Sequence, residues 1–310
     1  MPKILVIGAS GQIGTELTIA LRKRHGGDHV IAADVKSGHL QLNNNGPFIP
    51  LDVLDCETLQ VQVRNHRIDT IYLLVAMLSA NGEQHPQKAW QLNMQSLLNV
   101  LEVARVENIK QVFWPSSIAV FGPDAPKEHC PQNTELNPST VYGISKLAGE
   151  QWCKYYHSRY DMDIRSLRYP GLISSKTLPG GGTTDYAISI FHSAAFGKPY
   201  TCFLGPDTKL PMMYMDDAVR ATIELMDAPA KNITVRSSYN LAAMSFTPDE
   251  LAGEIKEQVP EFEIIYSPDQ RQAIADSWPD SIDDSCARQD WNWEAKFCMK
   301  GIVEEMLSSI

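Results

Sequence analysis

A glycine turn near the start of the chain narrows its possible folds more than any other feature. Ile4-Leu5-Val6-Ile7 is a short β-branched apolar run, Gly8-Ala9-Ser10-Gly11-Gln12-Ile13-Gly14 follows it, and a helical stretch continues from residue 12 to about 24. Glycines here permit a tight turn, close backbone approach to a pyrophosphate, and tight packing of helix on strand. The phosphates would sit on free N–H groups at the positive end of the helix dipole. Glycine patterns alone also mark ordinary strand-to-helix turns. Here the strand before, the helix after, and an acid about 20 residues on all agree with a dinucleotide-binding fingerprint. That acid is Asp34, which closes the run Val30-Ile31-Ala32-Ala33. A carboxylate there accepts from both ribose hydroxyls and repels a 2′-phosphate. Val35 and Lys36 follow it, with no arginine, so NAD is expected over NADP.

The alternation continues. Strand-like runs at residues 49–52, 70–76, 111–116 and 163–168 are separated by helical patterns at 56–65, 86–107 and 141–159. Continuous apolar strands divided by helices imply βαβ units and a parallel sheet covered on both faces. After Tyr169-Pro170-Gly171 the rhythm breaks at a Gly-rich tract, and mixed segments follow: helices near 216–226, 248–259 and 300–307, strands near 238–241 and 262–266, and a polar aromatic stretch to Trp293. The expected fold class is α/β: a Rossmann doubly wound parallel sheet with a smaller C-terminal α+β substrate lobe. Residues 1–170 would bind the cofactor and 171–310 mainly the substrate, with segments near 213–242 returning to the core. For 310 residues, one core plus a lobe is the sensible size.

Composition excludes several classes. A net charge of −10 argues against a surface built for nucleic acid or anionic lipid. Six cysteines (Cys56, Cys130, Cys153, Cys202, Cys286, Cys298) are scattered with no C-x-x-C pair, so reduced thiols are expected rather than disulfides or a zinc site. No apolar run reaches the ~18 residues that span a bilayer, and the first residues do not read as a signal peptide. A cytoplasmic chain is expected, or a mitochondrial matrix protein whose targeting segment has been removed.

A second constellation joins Ser117 to Tyr142-Gly143-Ile144-Ser145-Lys146. The i,i+4 spacing puts phenol and ammonium on one helix face. Y-x-x-x-K alone usually marks a surface helix, and Ser117 alone could be a turn residue. Downstream of a dinucleotide fold they make chemical sense: a nearby cation would lower the phenol pKa so that Tyr142 acts as general base, and a serine hydroxyl would hold the substrate oxygen.

With these motifs in this order the chain resembles the extended short-chain dehydrogenases/reductases. Within them it resembles the short-chain-type L-threonine 3-dehydrogenases, through Pro115-Ser116-Ser117-Ile118-Ala119-Val120-Phe121-Gly122, Pro179-Gly180-Gly181-Gly182-Thr183-Thr184-Asp185-Tyr186, Asp276-Ser277-Trp278-Pro279-Asp280 and Asp290-Trp291-Asn292-Trp293. The resemblance implies NAD as cofactor and Ser117, Tyr142 and Lys146 as the catalytic set. It implies cofactor contacts from Gly8, Gly11, Gln12, Ile13, Gly14, Asp34, Asp52, Val53, Leu74, Ala76, Asn93, Tyr142, Lys146, Tyr169 and Pro170. Asn93 would orient the lysine through a water. Ser79, Ser117, Tyr142, Thr184 and Trp278 would contact L-threonine, and Gly180 to Gly182 would let a loop close on it. A homodimer through two long helices is implied too. A nucleotide-sugar epimerase or dehydratase is the rival on the same fold; a redox-sensing module would ordinarily lack the Tyr/Lys pair.

Other signals take a plainer reading. Gly26-Gly27 spoils the helix that His25 and His29 would need as a metal pair. Asp216-Asp217 and Asp283-Asp284 read as caps or solvated charges, Asn232-Ile233-Thr234 as a chance glycosylation match, and Trp291 and Trp293 as packing residues. No metal is expected.

Overall fold

The computed structural model describes residues 1–36, 40–177 and 179–310. Its main sheet holds β1 (Ile4–Ile7), β2 (Val30–Asp34), β3 (Phe48–Pro50), β4 (Thr70–Leu73), β5 (Gln111–Phe113) and, at the far edge, β7 (Ile164–Arg165). The strand order is β3-β2-β1-β4-β5-β7, and every pair is parallel. Alternate residues of β1 leave for opposite faces, which explains its unbroken apolar sequence. Ile4 and Val6 pack with Leu17 and Leu21 of the Gln12–His25 helix, while Leu5 and Ile7 pack with Leu97, Val100 and Leu101 of the Pro86–Val106 helix. Chain order reverses at β1, which lies between β2 and β4. In such sheets a ligand crevice opens beyond the carboxyl ends of the strands at that point.

Two expected strands are each interrupted. Residues 111–116 split into β5 and β6 (Ser116–Ser117), and residues 163–168 into β7 and β8 (Leu167–Tyr169). Pro115 is the physical reason, since it has no N–H to continue a ladder. Registration survives the gap: Phe113 faces Arg165 before it, Ser116 faces Arg168 after it, and Trp114 N–H donates to the Arg165 carbonyl at 3.1 Å between them. β8 also pairs with β12 (Tyr239–Asn240).

Beyond Pro170, β9 (Gly171–Ile173) lies beside β11 (Leu210–Tyr214), which pairs antiparallel with β13 (Met244–Phe246). β10 (Tyr200–Cys202) and β14 (Ile264–Tyr266) form a separate parallel pair. The helix Tyr186–Ala195 follows the Gly-rich tract and buries Tyr186, Ile188, Ile190 and Phe191 in the core of this second half. The chain then rejoins the first half: Met213, Met215, Ala218 and Leu225 pack in one cluster with Ile4, Val6 and Leu17. The polar aromatic stretch before Trp293 contains two short helices, Arg271–Asp276 and Ser285–Trp291, and Trp293 is buried. Among the described residues no helix is long and apolar enough to cross a membrane, no group of three or more His, Cys, Asp or Glu could hold a metal ion, and the six cysteines are free.

Candidate active site

At the carboxyl ends of β1, β2 and β4 lies a cavity lined by Gly8, Ser10, Gly11, Asp34, Asp52, Val53, Leu74 and Ala76. The turn is compact because Gly14 rests on Gly8: a Cβ on Gly14 would stand 2.1 Å from the Gly8 carbonyl oxygen. Asp34 is fixed from both sides, with Ser10 N–H donating to Oδ2 at 3.0 Å and Lys36 N–H to Oδ1 at 3.1 Å. Asp52 Oδ1 accepts from Leu54 N–H at 2.9 Å, holding the turn after β3. These residues fit a dinucleotide. Ser10 Oγ and Gln12 Nε2 are buried without a partner, and no side chain caps the Gln12–His25 helix. Oxygen acceptors placed there would satisfy donors that otherwise lose hydrogen bonds on burial.

A second cavity continues the first, since Leu74 and Ala76 line both. Its wall includes Gln12, Ile13, Ser79, Ser117, Tyr142, Lys146, Tyr169, Pro170, Thr184 and Trp278, so residues far apart in sequence meet around one space. Gly14 and Asn93 line neither cavity. Asn93 accepts from Met77 N–H at 2.8 Å and donates to Ser145 Oγ at 3.1 Å, tying the chain after β4 to the helix that carries Tyr142 and Lys146.

That helix, Val141–Tyr160, begins at Thr140, whose hydroxyl accepts from Gly143 N–H at 3.0 Å. A Cβ on Gly143 would stand 2.1 Å from the Ala119 carbonyl, so glycine lets the first turn approach the Ile118–Val120 turn that follows Ser117. The serine hydroxyl and the Tyr142 phenol thereby become neighbours. Lys146 is buried, its Nζ 5.5 Å from the centre of the Tyr142 ring and 4.5 Å from that of Trp114, and it donates to the Pro115 carbonyl at 2.5 Å.

The electrostatics differ from the expectation of a phenol drawn down by its lysine. Burial pushes the Tyr142 phenol up to about 12, with the Ser117 hydroxyl opposing the rise, and pulls the Lys146 ammonium down to about 7. Desolvation disfavours the charged form of each group, and for Lys146 it outweighs the opposing Cys153 and Glu150. Tyr169 lines the cavity with its ring while its hydroxyl pairs with Thr222, turned away from the open space.

At the far end, Ser79 is buried and its Oγ lies 3.0 Å from Thr183 Oγ1, joining the Ser79–Gln84 helix to the Gly-rich tract. Trp278 is buried and its carbonyl accepts from Lys127 at 2.7 Å. Sequence reasoning missed Thr183 and Asp185 as lining residues. Asp185 had a signal, being the one ionisable group in the tract 179–185.

Comparison with known proteins agrees with this geometry. Residues 4–242 match the NAD dependent epimerase/dehydratase family. The mitochondrial L-threonine 3-dehydrogenase of Bos taurus is 46% identical over 307 residues, covering 99% of this chain and 82% of that protein. Among solved structures, the GalE-like L-threonine dehydrogenase from Cupriavidus necator in its holo form is 57% identical with a TM-score of 0.96, covering 99% of each chain. A monomeric L-threonine 3-dehydrogenase from a metagenome, in its apo form, is 50% identical with a TM-score of 0.95, covering 98% of this chain and 97% of that one.

Proposed function

The chain belongs to the NAD dependent epimerase/dehydratase family, and from that premise we propose that it oxidises the β-hydroxyl of L-threonine with NAD⁺, giving 2-amino-3-oxobutyrate and NADH. One observation carries the reading: two adjoining cavities share Leu74 and Ala76, the first walled by Gly8 and Gly11 of the glycine turn and the second by Ser117, Tyr142 and Lys146 together with Ser79, Thr184 and Trp278. NAD⁺, when bound, supplies the hydride acceptor for the threonine β-carbon. Gly8, Gly11, Gln12, Ile13 and Asp34 would hold it, with Asp52 and Val53 at the adenine and Tyr169 and Pro170 near the nicotinamide.

In this reading Tyr142 takes the hydroxyl proton while Ser117 holds the same oxygen in line. Lys146 sits one helical turn from Tyr142 and would stabilise the phenolate that accepts this proton, which is a neutral phenol once the proton has moved. The cavity is small and hydroxyl-rich, which suits an amino acid better than a sugar diphosphate. Burial of the reacting groups excludes water and fixes their distances.

The two long helices support a homodimer. Pro86–Val106 and Val141–Tyr160 pack on each other and leave Trp90, Ile144, Trp152, Tyr155 and Tyr160 between 38% and 49% exposed. Such an apolar face is suited to a second copy. Free cysteines throughout support a reducing compartment such as the cytoplasm.

NADH absorbance with L-threonine, against D-threonine, L-allo-threonine, L-serine and UDP-glucose, tests the activity. Turnover with L-threonine well above the others is expected. Tightly bound NAD with conversion of UDP-glucose to its epimer, read by chromatography because no net NADH forms, and no turnover of threonine would transfer the site to an epimerase. A dimer mass by light scattering is expected at micromolar concentration, and a monomer mass would remove the helix face from the assembly.

A further inference from the structure

Threonine carries an ammonium and a carboxylate, and a closed cavity must answer each charge as it removes water. Only two charged side chains stand among the described residues of the cavity wall, Lys146 and Asp185. Asp185 is 8% exposed. It occupies the N-cap position of the Tyr186–Ala195 helix, where an aspartate ordinarily accepts from the first turn, yet it makes no such bond. Its carboxylate turns back to the Gly-rich tract. Gly181 N–H and Gly182 N–H both donate to Oδ2, each at 2.7 Å. Gly180 N–H also acts on the carboxylate, and the structure gives no hydrogen bond that ends on Oδ1 among the described residues. Arg271 is the cation that acts on Asp185 through space, but its guanidinium is paired with Asp269 at 2.5 Å and lies over the Phe203 ring. A nine-tenths-buried carboxylate therefore faces the cavity with one oxygen held and one unspent.

We propose that Asp185 is the counter-charge for the substrate's α-ammonium group, and so a residue that determines specificity for amino alcohols over plain alcohols. This rests on the threonine reading above. Oδ2 fixes the carboxylate against the glycines, and Oδ1 takes the cation as water leaves. Burial raises the Asp185 carboxyl above its ordinary range, against the opposing Gly182 and Gly181 N–H groups, and an arriving ammonium offsets that penalty. The glycine tract thus gains a second purpose: its backbone N–H groups orient the acid that reads the substrate.

The test is calorimetric binding to the enzyme–NADH complex, comparing L-threonine with 3-hydroxybutanoate, which lacks the amino group. Asp185→Asn is the main variant, since its amide oxygen still accepts from Gly181 and Gly182 while the charge is gone. The wild type should prefer L-threonine by at least about tenfold. Asp185→Asn should lose that preference with NADH affinity unchanged, and Asp185→Glu should keep part of it. Equal binding of both ligands by the wild type overturns the proposal. So does an undiminished preference in Asp185→Asn, or an equal loss of both ligands, which would mean that the acid only shapes the loop. Turnover of L-threonine is read separately, so a wild type that binds threonine selectively without oxidising it sinks the activity and leaves Asp185 standing.

Discussion

The cofactor end of the cleft draws Gly8, Ser10, Gly11, Asp34, Asp52, Val53, Leu74 and Ala76 from the end of a main-sheet strand or the chain just after it, with Leu92 added from the Pro86–Val106 helix. The substrate end gathers Ser79, Ser117, Tyr142, Thr184, Asp185 and Trp278 from across two hundred residues and several structural settings. The first end is built by repetition of one rule, strand then turn. The second is built by the tertiary fold, which brings a helix start, a 3₁₀ turn and a glycine tract to one space. Substitutions should separate the two ends, and four do so with decreasing force.

Tyr142→Phe removes only the ionisable oxygen, at the seam between the ends. Turnover should fall by ~10²–10⁴-fold while NADH affinity measured by fluorescence stays near wild type. Because burial pushes this phenol up to about 12, wild-type turnover should climb with alkaline pH as the phenolate fraction grows. A flat profile with chemistry rate-limiting would remove Tyr142 as the base.

Asp34→Ala acts at the cofactor end alone. The preference for NAD over NADP in kcat/KM should shrink by roughly tenfold as like-charge repulsion disappears, with the KM for threonine unmoved. Equal wild-type kcat/KM for the two cofactors would mean that Asp34 does not meet the 2′-position.

Thr184→Ala is the counterpart at the substrate end. Losing one neutral hydrogen bond should raise the KM for threonine roughly fivefold and leave the KM for NAD where it was. Unchanged threonine kinetics would take Thr184 out of the site.

Lys146 yields the smallest effect, on stability. Its ammonium is held down to about 7 in the folded protein against 10.5 as the ordinary value. Between those values the unfolded chain binds a proton that the native one lacks, so native stability should rise with pH across that window. The Tm of the cofactor-free protein should increase by roughly a few degrees from pH 7 to pH 9, and Lys146→Met should flatten the trend. The upward shift of Tyr142 acts above pH 10 and leaves this window alone.

The cofactor end was readable because its chemistry is contiguous: strand, glycines, helix and a distant acid lie in a fixed frame. Ser117, Tyr142 and Lys146 were readable as residue types, but their electrostatics were not, since desolvation depends on Trp114, Pro115 and the lobe that cover them. The Tyr186–Ala195 helix escaped notice because its polar stripe is only Ser189, His192 and Ser193 in a short apolar run that directly follows a Gly-rich tract. Asp185 escaped because, with no helix foreseen after it, it read only as part of the Gly-rich tract, and the burial that turns its carboxylate back on the glycines comes from the fold. The broken strands followed from a single proline whose effect on pairing is local, whereas the sheet to which each half belongs is decided elsewhere.

The gap at Pro115 has a further consequence for how this protein can change. Because pairing resumes in the same phase after the proline, Ser116 and Ser117 emerge on opposite sides of the chain: one hydroxyl donates to buried Glu150 at 2.6 Å, the other stands beside Tyr142. A strand alternates strictly, so adding or deleting one residue between Phe113 and Ser116 would exchange the two serines without altering either. The spacer is thus a ruler rather than a recognition sequence. Its composition can drift so long as its length does not, and a lineage that altered that length would have to rebuild the catalytic hydroxyl from the neighbouring position.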